Sequence, residues 1–191
     1  MFIIKVKEKS KLKKVGEWMG IYLNPGSAMF QKSLKSKIYV DKTGLIEYTN
    51  SVLNTMEGYI CNSRPRRFGK SYTANMLAAY YSKGCDSKKM FSGLEIAQAP
   101  DFRQHLNKYD VIHIDIQWFL ANCENADELV SFITKSVLDE LREIYPGTLP
   151  TEVVKLPDAL SRVKEKTGQK FIIIIDKWDV LIRDGENSEQ R

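Results

Sequence analysis

Apolar and polar positions along the chain follow two periods. In "YDVIHIDIQWF" the residues Val111, Ile112, Ile114 and Ile116 are dense and β-branched, which predicts a strand. Phe171 to Ile175 is apolar without a break, the pattern of a central strand in a parallel sheet covered on both faces. Helical spacing appears in three places. From Lys70, Met76, Leu77, Tyr80 and Tyr81 lie on one face, with Gly84 as a stop. Asn125, with Glu128 three residues on, makes a capping-box signature ahead of Val130, Ile133, Val137, Leu141 and Ile144, a stripe that Pro146 ends. A further helix is expected from near Pro157 to Gly168. Upstream, "YLNPGSAMF" has turn chemistry in Asn24, Pro25 and Gly26, and "KIYVDKTGLIEYTNSVL" runs from a β-like triplet into a helix with Asp41 at its cap. "GYICNS" reads as a short apolar strand. This order of strands and helices predicts an α/β fold around a parallel sheet.

Composition changes that picture little. With 191 residues, 43% apolar and 28% charged, the chain fits one globular domain. The net charge of +5 comes from the first 14 residues, where six lysines face Glu8, and the remaining 23 basic and 23 acidic residues cancel. The basic leader over residues 1–20 is thus a local feature, either a solvated edge or tail or a contact for a polyanion. Cys61, Cys85 and Cys123 are odd in number and scattered, and His105 and His113 are the only histidines, so neither a zinc site nor a disulfide framework is indicated. Both histidines read as structural. The start fits neither a signal peptide nor a membrane span, and a reducing cytoplasm is the expected compartment.

The chemistry concentrates in "NSRPRRFGKSYTANML", Asn62 to Leu77. A phosphate loop is written Gly-x-x-x-x-Gly-Lys-Ser/Thr because its backbone N–H groups wrap the phosphates, its lysine reaches the β and γ groups, and its hydroxyl ligates magnesium. Aligned on Gly69, Lys70 and Ser71, the first glycine position holds Arg64. The triplet follows a short apolar run and opens a helix, whose N-terminal dipole favours anions. About a hundred residues later the isoleucine run ends in Asp176. That is where a Walker B carboxylate belongs, at the C-terminal edge at which ligands gather in open α/β sheets. The alternative is a basic turn and an unrelated buried strand.

Together "YVDKTGLIEY", "SRPRRFGKSYTANMLAAYYS" and "FIIIIDKWDVLI" resemble the AAA-ATPase-like domain found at the N-terminus of many bacterial proteins, over roughly Tyr22 to Asp184. The usual phosphate loop of that family is Arg-Pro-Arg-Arg-Phe-Gly-Lys-Ser, so Arg64 is no anomaly within it, and Pro65 fixes one loop torsion that glycine leaves free. The resemblance implies a P-loop NTPase fold, a three-layer αβα arrangement with a parallel sheet, over residues 21–191. It makes Lys70 the phosphate lysine, Ser71 the magnesium hydroxyl and Asp176 the Walker B acid, with ATP and Mg2+ as cofactors. Phe68, Gly69 and Tyr72 complete the loop. Arg66 and Arg67 either approach phosphate or line the rim, and Tyr39–Thr43 either lies beside the base or is structural. No Asn-Lys-x-Asp motif is present, which favours adenine over guanine.

Two departures from the family pattern follow. Glu usually comes directly after the Walker B Asp and polarises the attacking water, whereas this chain has Lys177. An ammonium ~6 Å from magnesium at an effective dielectric of ~20 is repelled by roughly 5 kcal/mol before screening, partly offset by the phosphates. Loss of general-base assistance costs about 10²–10⁴-fold in hydrolysis. Asp179 is a second candidate base, though a strand end places it differently. In addition, the strand that slots between the phosphate-loop and Walker B strands in this group, the sensor residue, the arginine finger and the lid have no counterpart before Arg191. The fold is therefore expected to be truncated after the Walker B strand, with an empty central slot or a forced pairing of "YICNS" with "FIIIID". Related proteins often continue into a nuclease-like domain.

Three functions are consistent with these residues: a magnesium-dependent ATPase module, a nucleotide-binding switch or fragment deficient in hydrolysis, and a nucleic-acid-binding module that uses the leader lysines with Arg64, Arg66 and Arg67.

Overall fold

The computed structural model describes residues 19–63, 65 and 67–181. Arg64, Arg66 and all of the basic leader but Met19 and Gly20 lie outside the described residues.

Helices α1 (Ala28–Leu34), α2 (Gly44–Val52) and α3 (Lys70–Tyr81) come first, followed by the short α4 (Lys88–Phe91) and α5 (Phe102–His105). Strand β1 (Asp110–Asp115) leads directly into α6 (Ile116–Ala121). Then come α7 (Leu129–Ile144), α8 (Leu156–Thr167) and strand β2 (Phe171–Asp176). The strands pair in parallel, with Asp110 opposite Phe171 and Asp115 opposite Asp176. The chain is thus α/β with a small parallel sheet among its described residues.

Side-chain alternation splits this ribbon into two faces. Ile112, Ile114 and Phe171 join one apolar core with Phe119 of α6, Val137 and Leu141 of α7 and Ala159 and Val163 of α8. Val111, Ile172 and Ile174 join the other, with Met76, Tyr80 and Tyr81 of α3, Phe30 of α1 and Ile46 of α2.

Several expectations are corrected. The strand predicted through Ile116 ends at Asp115, because the Asp115 carboxylate accepts the Trp118 N–H at 3.1 Å and so caps α6 instead of continuing the ladder. Among the described residues β2 pairs on one side only, with β1, and is not a central strand. The far side of β1 is occupied by the segment at Leu23, which bridges antiparallel to Ile112. Asn24, left-handed at φ 56°, donates its N–H to Val111 O and accepts the Val111 N–H on its side chain. β1 is therefore flanked on both sides, while Ile173 and Ile175 of β2 stay about half exposed. "GYICNS" forms no strand, and Tyr59 and Cys61 in it are exposed. An apolar run that short has little area to bury without a partner strand. Val130 is 72% exposed and leaves the α7 stripe to Leu129, Val137, Leu138, Leu141 and Ile144. Seven residues ahead of Val137, Val130 shares its helical face, but it sits in the first turn of α7, where the core cluster takes Leu129 and not Val130.

Other expectations are met at least in part. Asn125 Oδ1 accepts the Glu128 N–H at 3.1 Å and its side-chain amide donates to Glu128 Oε1 at 3.0 Å, but this pair closes the 3-10 turn at Ala126–Glu128, and the cap residue of α7 itself is Glu128. α8 has Pro157 in its first turn and ends on Gly168 in the left-handed conformation at φ 70°.

Glu140 of α7 ties the N-terminal segment to this frame. Its two oxygens accept the N–H groups of Ile21 at 2.8 Å, Tyr22 at 3.0 Å and Leu23 at 2.7 Å. Gly20 has no room for a side chain, since an added Cβ would lie 2.4 Å from Glu140 Oε2. Glu140→Ala strands three backbone donors and is expected to cost about 1–3 kcal/mol, read from chemical denaturation midpoints.

Candidate functional site

The loop before α3 is held in shape by its own backbone and by a lysine from a distant segment. Arg67 and Gly69 are both left-handed, at φ 67° and 78°. That is strained for an arginine and ordinary for a glycine. Lys42 Nζ donates to Phe68 O at 2.8 Å, and a Cβ at position 69 would stand 2.9 Å from that ammonium. Gly69 O then accepts both the N–H and the hydroxyl of Thr73, which starts the α3 ladder. The N–H groups of the first turn ahead of Thr73 precede that ladder and face outward with the positive end of the helix dipole.

Lys42 is aimed by its neighbours. Asp41 Oδ1 accepts the Thr43 N–H and hydroxyl at 2.8 and 2.7 Å, Asp41 Oδ2 accepts the Glu95 N–H at 2.8 Å, and Thr43 Oγ1 accepts the Ile96 N–H at 3.1 Å. Asp41 is therefore a turn-former just ahead of α2, whose cap residue is Thr43. Burial alone would raise the Asp41 carboxyl, but the hydrogen bonds from Glu95, Thr43 and Lys42 outweigh it and hold it below its ordinary 3.8. A carboxyl with a depressed folded value contributes stability above its unfolded value, and that contribution is lost as pH falls through the folded one. Denaturation midpoints of wild type and Asp41→Asn are therefore expected to differ most above pH 4 and to converge as the pH falls below 3.8.

A cavity of about 270 Å³ lies between this loop and the chain around α1, walled by Phe30, Tyr39, Val40, Lys42, Phe68 and Tyr72. Arg67 and Gly69 also reach it. Its mouth is apolar, with Ile38, Phe68 and Tyr72 mostly exposed. The Tyr39 phenol is pushed up to about 12, first by burial and then by Asp41. Lys70, Ser71 and Asp176 are not among the walls.

Asp176 lies at the end of the sheet, and α3 packs against that sheet. The last turn of α3 is fastened to the start of β1: the Tyr109 N–H donates to Tyr81 O at 3.0 Å, and the Lys83 N–H donates to Tyr109 O at 2.9 Å. From there the helix packs back along both strands. Its 12 residues span ~18 Å and the 6 residues of β1 span ~20 Å. A helix of that length running back along the strands directs its N-terminus toward the strand ends that carry Asp115 and Asp176. Both carboxylates stand on the sheet face that α3 covers, since they alternate in phase with Val111 and Ile172. Asp176 is buried and accepts the Lys177 N–H at 2.9 Å.

Lys177 does not point into open solvent or back along β2. Left-handed at φ 58°, it sends its ammonium across to Asp115 Oδ2 at 2.7 Å. The cation expected to oppose a metal is therefore paired on the neighbouring strand. His113 is half-buried two residues back on the same face of β1, and its buried Nε2 meets no hydrogen-bond partner among the described residues. Burial lowers its basicity and outweighs the pull of Asp176 and Asp115, with Lys177 acting in the same sense as burial.

Asp115 was not singled out by sequence reasoning, His113 was read only as structural, and Lys42 fell within Tyr39–Thr43 with no role of its own. The signal available was the alternation in "VIHID", which puts His113 and Asp115 on one face of a strand. Nothing in the sequence placed Lys42 against the loop. Among the described residues no cluster of three or more His, Cys, Asp and Glu forms a metal cage. The Asp176 carboxylate and the Ser71 hydroxyl are oxygen donors of the kind that suit magnesium, which takes few protein ligands and keeps water and phosphate for the rest. Among the described residues no helix is long and apolar enough to cross a membrane.

Residues 27–190 match the family model described as a predicted AAA-ATPase. No curated protein and no solved structure matches the chain.

Proposed function

Since this chain belongs to the AAA-ATPase-like family, which it matches over residues 27–190, we propose that it is an ATP-binding P-loop module with a three-layer αβα arrangement. The observation that supports the reading is that Gly69–Lys70–Ser71 opens α3, a helix that packs on the sheet face on which Asp176 ends β2. In this reading the first-turn N–H groups cradle the phosphates, and Lys70 reaches the β and γ groups. Ser71 and, through water, Asp176 hold magnesium, which when bound neutralises phosphate charge. The cavity beside Tyr39 and Tyr72 takes the adenine, with apolar walls for its faces and Lys42 fixing the loop at its mouth. Arg67 lines the rim of that cavity.

The same arrangement favours ATP binding over rapid turnover. Lys177 stands where a water-polarising carboxylate is usual, and its charge is engaged by Asp115. Phosphoryl transfer needs positioning and charge stabilisation, which Lys70, Ser71 and Asp176 begin to provide, and a base, which residue 177 does not. The chain is thus read as a nucleotide-responsive switch with slow hydrolysis. Calorimetric titration of MgATP into the protein tests the proposal: saturable heat that depends on Lys70 is the expected result, and its absence ends this reading.

A further inference from the structure

We infer that Lys177 is a phosphate ligand held in reserve, docked on Asp115 while the site is empty and drawn to the terminal phosphates when ATP seats at the α3 N-terminus. The inference rests on the nucleotide-binding reading and adds to it a switch between two partners for one ammonium.

Three observations lead here. The first is placement. Asp115 and Asp176 are paired in register at the strand ends, so Lys177 follows the buried acid directly, at the sheet edge toward which the proposed phosphate site on α3 is directed. The second is the unequal fastening of the pair. Asp115 Oδ1 is committed to the Trp118 N–H at the α6 cap, which fixes the carboxylate, whereas Lys177 carries its ammonium on a flexible four-carbon stem. Asp115 is the fixed dock and Lys177 the moving part.

The third is the weakness of the dock. The ion pair is close, at 2.7 Å, yet the two side chains are 36% and 35% exposed. A pair so open to water contributes little, because solvent screens it and both ions solvate well when parted. A nucleotide triphosphate with one magnesium still carries about two negative charges and offers several oxygens to a lysine, a stronger attraction than one half-exposed carboxylate. The left-handed φ of Lys177 turns the chain sharply after β2. Release leaves Asp115 as an exposed helix cap, a state that costs little.

The experiment is a set of calorimetric titrations with MgATP and with AMP on wild type, Lys177→Met, Asp115→Asn and the double variant. Asn at position 115 retains a side-chain oxygen for the Trp118 N–H, and melting curves check that α6 stays capped. Asp115→Asn removes the competitor and is expected to tighten MgATP about twofold to fivefold. Lys177→Met is expected to weaken MgATP about tenfold, the effect of one lost charged hydrogen bond to phosphate. AMP, which lacks the terminal phosphates, binds equally to all four proteins. In the Lys177→Met background the Asp115 substitution has no effect on MgATP. The inference is overturned by an unchanged or tighter MgATP affinity in Lys177→Met, by weaker MgATP binding in Asp115→Asn, or by an Asp115 effect that persists without Lys177. If wild type binds MgATP in a Lys70-dependent way and Lys177→Met matches it, the switch alone falls. If wild type gives no heat, the nucleotide reading falls with it.

Discussion

Lys70→Ala is expected to lower MgATP affinity by about a hundredfold while leaving the fold intact. Lysine at this point of a phosphate loop donates to oxygens of the β and γ groups, and each hydrogen bond to a charged partner contributes about 1.5–3 kcal/mol. A hundredfold change corresponds to ~2.7 kcal/mol, within reach of one or two such bonds. Alanine is the strongest helix former, so the first turn of α3 is not weakened by the exchange. The core beneath it, Met76, Tyr80 and Tyr81, lies further along the helix. AMP separates a specific loss from a general one, because it lacks the phosphates that Lys70 reaches. The expected pattern is a large loss for MgATP, little change for AMP and an unchanged melting temperature. Equal losses for both nucleotides would instead place Lys70 in the architecture of the loop.

The other large effect lies at the opposite end of the sheet. Asp110→Ala is expected to destabilise the protein by about 3–5 kcal/mol, the cost of removing one partner from a buried ion pair. Asp110 is fully buried at the first position of β1. It accepts hydrogen bonds from Asn24 Nδ2 at 2.7 Å, from Lys83 Nζ at 2.8 Å and from the Tyr145 hydroxyl. Lys83 also contacts Gln169 at 3.2 Å, just before β2. The Tyr145 phenol is driven well above its ordinary value, by burial first and by Asp110 second, so it remains a donor.

This one carboxylate joins the segment at Asn24, the end of α3, the end of α7 and the approach to β2. Its loss leaves the Lys83 ammonium with little solvent and several orphaned donors. For a domain of this size 3–5 kcal/mol is a third or more of the total stability and lowers the melting temperature by roughly 10 °C. Thermal denaturation followed by circular dichroism measures it. Asn at position 110 preserves the shape and the Asn24 contact while removing the charge, and it is expected to lose less than Ala.

The elements that rest on local signals were legible in the sequence. α8 could be bounded from Pro157 and Gly168, because a proline in the first turn and a left-handed glycine act through backbone geometry alone. The Asn125–Glu128 cap and the long helix after it were equally local. Gly69–Lys70–Ser71 at the head of α3 was readable because loop, helix start and lysine are contiguous. Errors arose where neighbours in space decide. Ile116 fits a strand by residue type, yet Asp115 diverts the chain into α6. Phe171–Ile175 has the composition of a doubly covered strand, but composition does not say which edge of β2 is paired or what lies over Ile173 and Ile175.

The sequence by itself determined the α/β class, the family and the order loop, helix, strand, acid, because each depends on residue types at fixed spacing along the chain. Tertiary structure alone decided that Lys42 braces the loop from 26 residues away, that Asp110 gathers four segments, and that Lys177 lies on Asp115. The physical reason is range: backbone preferences act over a few residues, whereas a charge pairs with whichever partner packing brings within about 3 Å, at any separation in the chain.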